Sequence, residues 1–192
     1  NDTTCAVTGA GIKEPGMLLN TCGTVELLVL CSDKPVYGPN HLIRTHAYRN
    51  RWLLMRTLGA GGASVEWFRS NFYREITRED FYSHHIEKVL SECNKSDVVF
   101  DPYLTGDRHR LEKLTASFKN ITLDTTRDDL LYSIAYNNAS YVLEIIKEWE
   151  KDNHMGKSVF LVGGGAGEGY TNIKRKMLPG YQFINIGETA ER

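Results

Sequence analysis

Ser158-Val159-Phe160-Leu161-Val162-Gly163-Gly164-Gly165-Ala166-Gly167-Glu168-Gly169 is the stretch on which the reading of this chain turns. Ser158 and the four apolar residues after it predict a buried strand, the glycines a tight turn, and Ile173 and Met177 a helix beyond it. Strand, glycine turn and helix in that order form one step of an α/β fold. The turn also lets backbone N–H groups approach a nucleotide with no side chain in the way. No Gly-Lys-Ser/Thr follows, and no three glycines fit the G-x-G-x-x-G frame, so it is neither a Walker A loop nor a dinucleotide fingerprint. Taken alone, it reads equally well as a strand-to-helix turn without a ligand.

Upstream, Thr126 predicts the cap of a long helix from about Arg127 to Lys151, with Leu131, Ile134, Val142, Ile145 and Trp149 at helical spacing. Phe118 to Leu123 and Val98-Val99-Phe100 read as short strands. Thr77-Arg78-Glu79-Asp80 opens a helix running to about Cys93. Gly59-Ala60-Gly61-Gly62-Ala63-Ser64 leads into another helix carrying Val65, Trp67, Phe68 and Phe72. The first third is different. Met17 to Cys22 and Val25 to Cys31 are β-rich and separated by Gly23-Thr24, a two-residue hairpin signal. His41 to Tyr48 and Trp52 to Thr57 form a second strand pair around Arg49-Asn50-Arg51. Downstream, Tyr181 to Ile186 is a last strand. Antiparallel strands followed by alternating helices and strands predict a mixed α/β domain.

The 192 residues suffice for one domain with a core, and no repeat or linker divides them. A net charge of −1 gives no general attraction to nucleic acid or a membrane surface. No apolar run approaches the roughly 18–20 residues that span a bilayer. Cys5, Cys22, Cys31 and Cys93 lack metal-type spacing and read as reduced, mostly buried thiols of a cytoplasmic protein. The chain opens at Asn1-Asp2 without Met and stops where a helix begins, so both ends are expected to be internal to a longer protein.

Individually the candidate residues are weak. A Gly23-Thr24 tip offers backbone donors and a hydroxyl suited to phosphate, but an ordinary hairpin is the plainer reading. Asp2 by position is a solvated charge. His84-His85 read as surface or half-buried histidines, and Lys174-Arg175-Lys176 as the solvated side of a helix. Arg108 and Arg110 flank His109 in a loop that could meet an anion. Trp67 and Trp149 read as core.

Their order along the chain carries more. Asp2 before small residues, Glu14-Pro15-Gly16, then Cys22-Gly23-Thr24 resembles the start of the C-terminal domain of the FGGY carbohydrate kinases. Pro102-Tyr103-Leu104-Thr105-Gly106-Asp107-Arg108 is similar to the family's Pro-Tyr-Leu-x-Gly-Glu-Arg. Leu123 to Arg127 with Asp129-Leu130 resembles its Leu-x-x-Thr-Arg-x-x-Leu helix entry. Leu161 to Ala166 resembles its Gly-Gly-Gly-Ala adenine turn, and Glu188-Thr189-Ala190 the start of a final helix. The resemblance implies a ribonuclease-H-like, actin-like ATPase domain, its mixed sheet flanked by helices, occupying residues 1–192. It implies phosphoryl transfer from ATP with Mg²⁺ to a sugar or polyol, with a separate N-terminal domain as the partner wall of the cleft and a homodimer possible. Asp2 would be the general base. Gly23 and Thr24 would bind phosphate. Gly164, Gly165 and Ala166 would lie along adenine and ribose, Gly165 leaving room on the ligand side. No metal-ligating residues are implied within the chain, and this part by itself is expected to be inactive. Asn120 replaces a usual glycine near the phosphates, where it could crowd the nucleotide or add a hydrogen bond. Asp107 replaces Glu, and Glu168-Gly169 replace a usual Ser or Asn, which puts one adenine contact in question. A phosphotransferase for a non-sugar substrate and a non-catalytic domain binding nucleotide or protein are the competing readings.

Overall fold

The computed structural model describes residues 2–92, 97–107 and 112–187, with Asp2 described by its backbone. Cys93, the Arg108-His109-Arg110 segment and Glu188-Thr189-Ala190 lie outside the described residues. Helix α1 (Asp2–Gly9) precedes strands β1 (Leu18–Cys22), β2 (Glu26–Ser32), β3 (Leu42–Thr45) and β4 (Trp52–Leu58). Helix α2 (Gly61–Phe72) follows, then α3 (Arg78–Asp80), a π-helical turn (Phe81–His85) and α4 (Ile86–Glu92). Strands β5 (Val99–Asp101) and β6 (Ser117–Lys119) lead to α5 (Arg127–Glu150), β7 (Ser158–Val162), α6 (Glu168–Met177) and β8 (Gln182–Asn185).

Among the described residues, six strands form one sheet in the order β3-β4-β2-β1-β7-β8, while β5 and β6 pair separately. β1 runs antiparallel to β2 and parallel to β7, so the sheet is mixed. Period-two alternation gives it two apolar faces. Leu18, Leu28, Leu30, Leu54, Val159 and Leu161 pack under the second half of α5, through Val142, Ile145, Ile146 and Trp149. Leu19, Val29, Cys31, Leu53 and Val162 pack on the other side against Val7 of α1 and Ile12. The first half of α5 belongs to a neighbouring cluster with Phe68, Phe81, Leu90 and Phe100. One helix thus joins the sheet to α2 and α4. Arg56 of β4 adds a 2.8 Å bridge to Glu148 of α5.

Several expectations need correction. The hairpin has three loop residues, Gly23, Thr24 and Val25, because Cys22 pairs directly with Glu26. The second strand pair is shorter on one side: β3 ends at Thr45, and Asn50 turns the chain at φ 56. β6 ends at Lys119 rather than Leu123, because Asn120 adopts φ 62 and leaves the strand. The small residues after Asp2 form a helix; with so little side chain to place, their pattern carried no period. Trp149 is core as expected, but Trp67 is 39% exposed on the outer side of α2. His84 is exposed and His85 half-buried, as expected. Cys22 and Cys31 are buried free thiols, while Cys5 is exposed.

The start of α5 is a capping box, with the Thr126 side chain accepting from the Asp129 N–H and the Asp129 carboxylate accepting from the Thr126 N–H at 2.9 Å. Thr126→Ala is expected to cost about 1 kcal/mol, a melting shift of roughly 2–4 °C, measurable by thermal unfolding followed by circular dichroism.

Candidate functional site

Because β1 and β7 are parallel neighbours, with Thr21 beside Val162, their turns leave the same end of the sheet side by side. The carboxyl ends of parallel strands are where open α/β sheets hold ligands. The contact between the two turns is backbone on backbone. Gly165 donates its N–H to the Cys22 carbonyl at 2.8 Å. A Cβ on Gly163 would stand 2.8 Å from that carbonyl oxygen, and one on Gly165 2.7 Å from it. Gly163 also adopts φ 98, a conformation that disfavours side chains. Asn185 steadies the turn by donating to the Ala166 carbonyl at 2.7 Å.

The start of α2 completes the arrangement. Gly62 donates to the Gly23 carbonyl at 2.9 Å, and Ala63 to the Thr24 carbonyl at 3.0 Å. The hairpin therefore caps the helix, and the helix fixes the hairpin's peptide planes. A Cβ on Gly62 would lie 2.6 Å from the Gly23 oxygen, so this approach needs glycine. Asn138 of α5 holds the same helix start through the Gly61 carbonyl at 3.1 Å. In a trans peptide the N–H points opposite the preceding carbonyl. The N–H groups of Thr24 and Val25 consequently point away from α2, and neither finds a partner among the described residues. The Thr24 side chain is exposed beside them.

Beneath the turns lies a buried polar cluster. Lys174 of α6 is 0% exposed, against the expectation that its basic run faces solvent; only Arg175 and Lys176 do so to any degree. Its ammonium donates to Asn20 Oδ1 at 2.5 Å and Glu26 Oε1 at 2.7 Å, and approaches Cys22 Sγ at 3.6 Å. Those three partners match the three protons of an ammonium. The Tyr170 hydroxyl donates to the other Glu26 oxygen at 2.7 Å, and the Tyr170 ring lies 4.2 Å from the Lys174 nitrogen. Burial works against the Lys174 charge, but its contacts with Cys22 and Glu26 more than offset this and raise its pKa. Burial pushes the Cys22 thiol up to about 12, so at neutral pH Glu26 supplies the balancing charge. Losing one partner of such a pair typically costs about 3–5 kcal/mol.

Of the sequence candidates, Gly23, Thr24, Gly164, Gly165 and Ala166 come together. Gly164 is exposed and open, with nothing within 4 Å of the Cβ it lacks. Gly165 is corrected in detail: its missing Cβ makes room for Cys22, not for a ligand. Asn120 is tied elsewhere, donating to the Asp97 carbonyl at 3.1 Å. Its φ of 62 explains why glycine would suit that position and why Asn, which tolerates left-handed backbone, can replace it. Glu168 pairs with Arg175 at 2.7 Å, and Gly169 donates to Glu87 of α4 at 2.7 Å. Asp2 opens α1. Gly61, Gly62, Glu26, Tyr170 and Lys174 were missed. The signal for Lys174 existed: Tyr170, Ile173, Lys174 and Met177 are spaced as one inward stripe.

No group of three or more His, Cys, Asp or Glu among the described residues is placed to hold a metal ion. Among the described residues, no helix is long and apolar enough to cross a membrane.

No protein-family profile matches the chain. Individual proteins do. It is 24% identical over 169 residues to a xylulose kinase of Staphylococcus epidermidis, covering 86% of this chain and 34% of that protein. It is 24% identical over 172 residues to a glycerol kinase of Lactococcus lactis, with the same coverage of 86% and 34%. The fold superposes on the crystal structure of xylulose kinase from Rhodospirillum rubrum with a TM-score of 0.88 at 17% identity, covering 98% of this chain and 39% of that one. Plasmodium falciparum glycerol kinase, solved with ADP, gives a TM-score of 0.75 at 19% identity, covering 91% and 36%. The chain thus spans about a third of the length of the curated relatives it matches.

Two measurements follow. Gly165→Val is expected to destabilise the domain by roughly 1–3 kcal/mol through overpacking on Cys22, whereas Gly164→Val should melt close to the parent; parallel thermal melts decide. Alkaline stability should also depend on Cys22. The thiol's ordinary value is 9.0 and its folded value about 12, so the folded chain binds more protons in that window. That increment is present below pH 9 and lost as pH rises towards 12, at about 1.4 kcal/mol per pH unit. Cys22→Ala should show a shallower fall in urea midpoint above pH 9 than the parent.

Proposed function

We propose that the chain is a member of the FGGY carbohydrate kinases, as its similarity to xylulose and glycerol kinases supports, and that it is the ATP-binding, C-terminal half of a kinase that phosphorylates a sugar or polyol hydroxyl. The observation that carries this reading is the union of the Gly23–Val25 turn, the start of α2 and the glycine turn at one end of the sheet. In this reading the outward N–H groups of Thr24 and Val25, with the Thr24 hydroxyl, bind the phosphates. Neutral backbone donors suffice because Mg²⁺, carried in with ATP, offsets their charge. Gly164, Gly165 and Ala166 lie along adenine and ribose, with Gly164 as the open position. Glu168 takes no part, being occupied by Arg175.

ATP would supply the phosphoryl group, and the chain would orient it and exclude water. Asp2 would accept the proton of the acceptor hydroxyl, for which a carboxylate within hydrogen-bond reach is needed. The sugar contacts would come mainly from a preceding N-terminal domain, which fits the third of each relative's length that the chain spans. Asn120 would stand beside this site as a substitute for glycine rather than a direct ligand. A cytoplasmic protein suits this chemistry.

In the full-length protein, Asp2→Asn should lower turnover by about 10²–10⁴ while ATP affinity stays near the parent's, because the amide keeps the shape and cannot accept a proton. Coupled-enzyme assays against ketoses, polyols and aldonates, with calorimetric ATP titration, test both halves. Parent-like turnover would remove Asp2 as the base. The 192-residue chain alone should bind Mg-ATP and turn over no sugar; calorimetry showing no nucleotide binding would overturn the reading.

A further inference from the structure

Among the described residues, the buried pair of Glu26 and Lys174 is the side-chain ion pair that joins the hairpin's strand β2 to helix α6. Glu26 is the residue immediately after the Gly23–Val25 turn, and Lys174 lies on the helix that leaves the glycine turn. Their contact spans 148 positions of sequence. A third segment meets the same side chain: a Cβ on Gly61 would stand 2.7 Å from the Glu26 Cβ and 3.4 Å from its Oε2, so the start of α2 is seated on it as well. Tyr170, one turn before Lys174 on α6, holds the second carboxylate oxygen. Every proton of the ammonium and both oxygens of the carboxylate are engaged, with no water required. Apolar side chains would fill the space without the cost of burying charge, so stability alone is a poor reason for an ion pair here. What such a pair adds is direction and register, since it is satisfied in one relative placement of its two carriers.

We propose that the Glu26–Lys174 pair, with Tyr170, is a positioning device that fixes the distance between the hairpin and the glycine turn, so that one nucleotide can engage both at once. The inference rests on the ATP-binding reading above. Neither side chain touches the nucleotide; both sit under the turns and act through them. If the spacing is free to vary, a ligand spanning both turns must pay for ordering them, and its affinity falls. A ligand occupying one turn has no such dependence. Adenosine is a probe for the glycine turn, inorganic tripolyphosphate for the hairpin, and Mg-ATP for both.

The test titrates the three probes into the parent chain and into the double variant Glu26→Met/Lys174→Met, each melted first. The double variant removes both charges together and keeps apolar bulk, so it is expected to fold. Its Kd for Mg-ATP should rise about tenfold, while adenosine and tripolyphosphate stay within about twofold of the parent. Unchanged ATP affinity in a folded double variant would overturn the proposal, as would an equal loss for all three probes, which would mark the pair as merely structural. If the double variant does not fold, Tyr170→Phe decides: it removes one hydrogen bond from Glu26 and should weaken ATP about threefold with the single-turn probes unaffected, and parent-like ATP binding would overturn the proposal. A parent chain that binds no Mg-ATP would instead bring down the ATP-binding reading, and this inference with it.

Discussion

The Cys22 carbonyl meeting the backbone of Gly163 and Gly165 is the constraint from which the arrangement of the site follows. Two parallel strands can sit side by side in any sheet, but their turns can touch only where no Cβ intervenes. Here the contact is close enough that Gly165 donates a hydrogen bond across it. Once β1 and β7 end together in this way, the hairpin from β1 and the helix from β7 are forced to share one corner of the molecule. The start of α2 is drawn into the same corner by the carbonyls of Gly23 and Thr24. Three turns from distant parts of the chain are thereby brought together by main-chain groups.

That packing has an electrostatic consequence. The hairpin spends its carbonyls on α2 and so presents N–H groups outward, a surface of donors rather than acceptors. Polarity of this kind suits an anion, yet the net charge of the chain is near zero. Lys174, beneath the turns, is buried and paired with Glu26. The turns therefore offer directed dipoles instead of net charge, which is the basis of the ATP-binding proposal above.

The long helix α5 supplies the mechanical background. Its first half packs with α2 and α4, its second half with the sheet, and Asn138 lies between, holding Gly61. Glu87 of α4 reaches the N–H of Gly169 at the start of α6. Both helices that leave the candidate site are thus anchored from behind by polar side chains on well-packed elements. Gly169 shows the cost to sequence variety: a Cβ there would meet Glu87 and Leu90 within 3 Å.

Much of this was legible from the chain as text. Strands, helices and most of their limits follow from periodicity, because burial on one face imposes a period of two or about 3.6 residues. Thr126 could be named as a cap because an N-cap is satisfied within four residues, and the glycine turn could be placed because glycine marks its own backbone. The order of short motifs also carried the resemblance to the FGGY carbohydrate kinases. Pairings remote in sequence were a different matter. That Gly165 faces Cys22, that Gly62 and Ala63 cap on the hairpin, and that Asn120 takes up a left-handed turn tied to Asp97 depend on which segments the fold brings together. Lys174 is the sharpest case. In the sequence it stands in a run of three basic residues and reads as solvent-facing, since charge is costly to bury; in the structure α6 turns it inward, and Glu26, 148 residues away, makes that burial possible. Helical spacing could mark Lys174 as inward-facing, but a counter-charge this remote in sequence is supplied by tertiary contact.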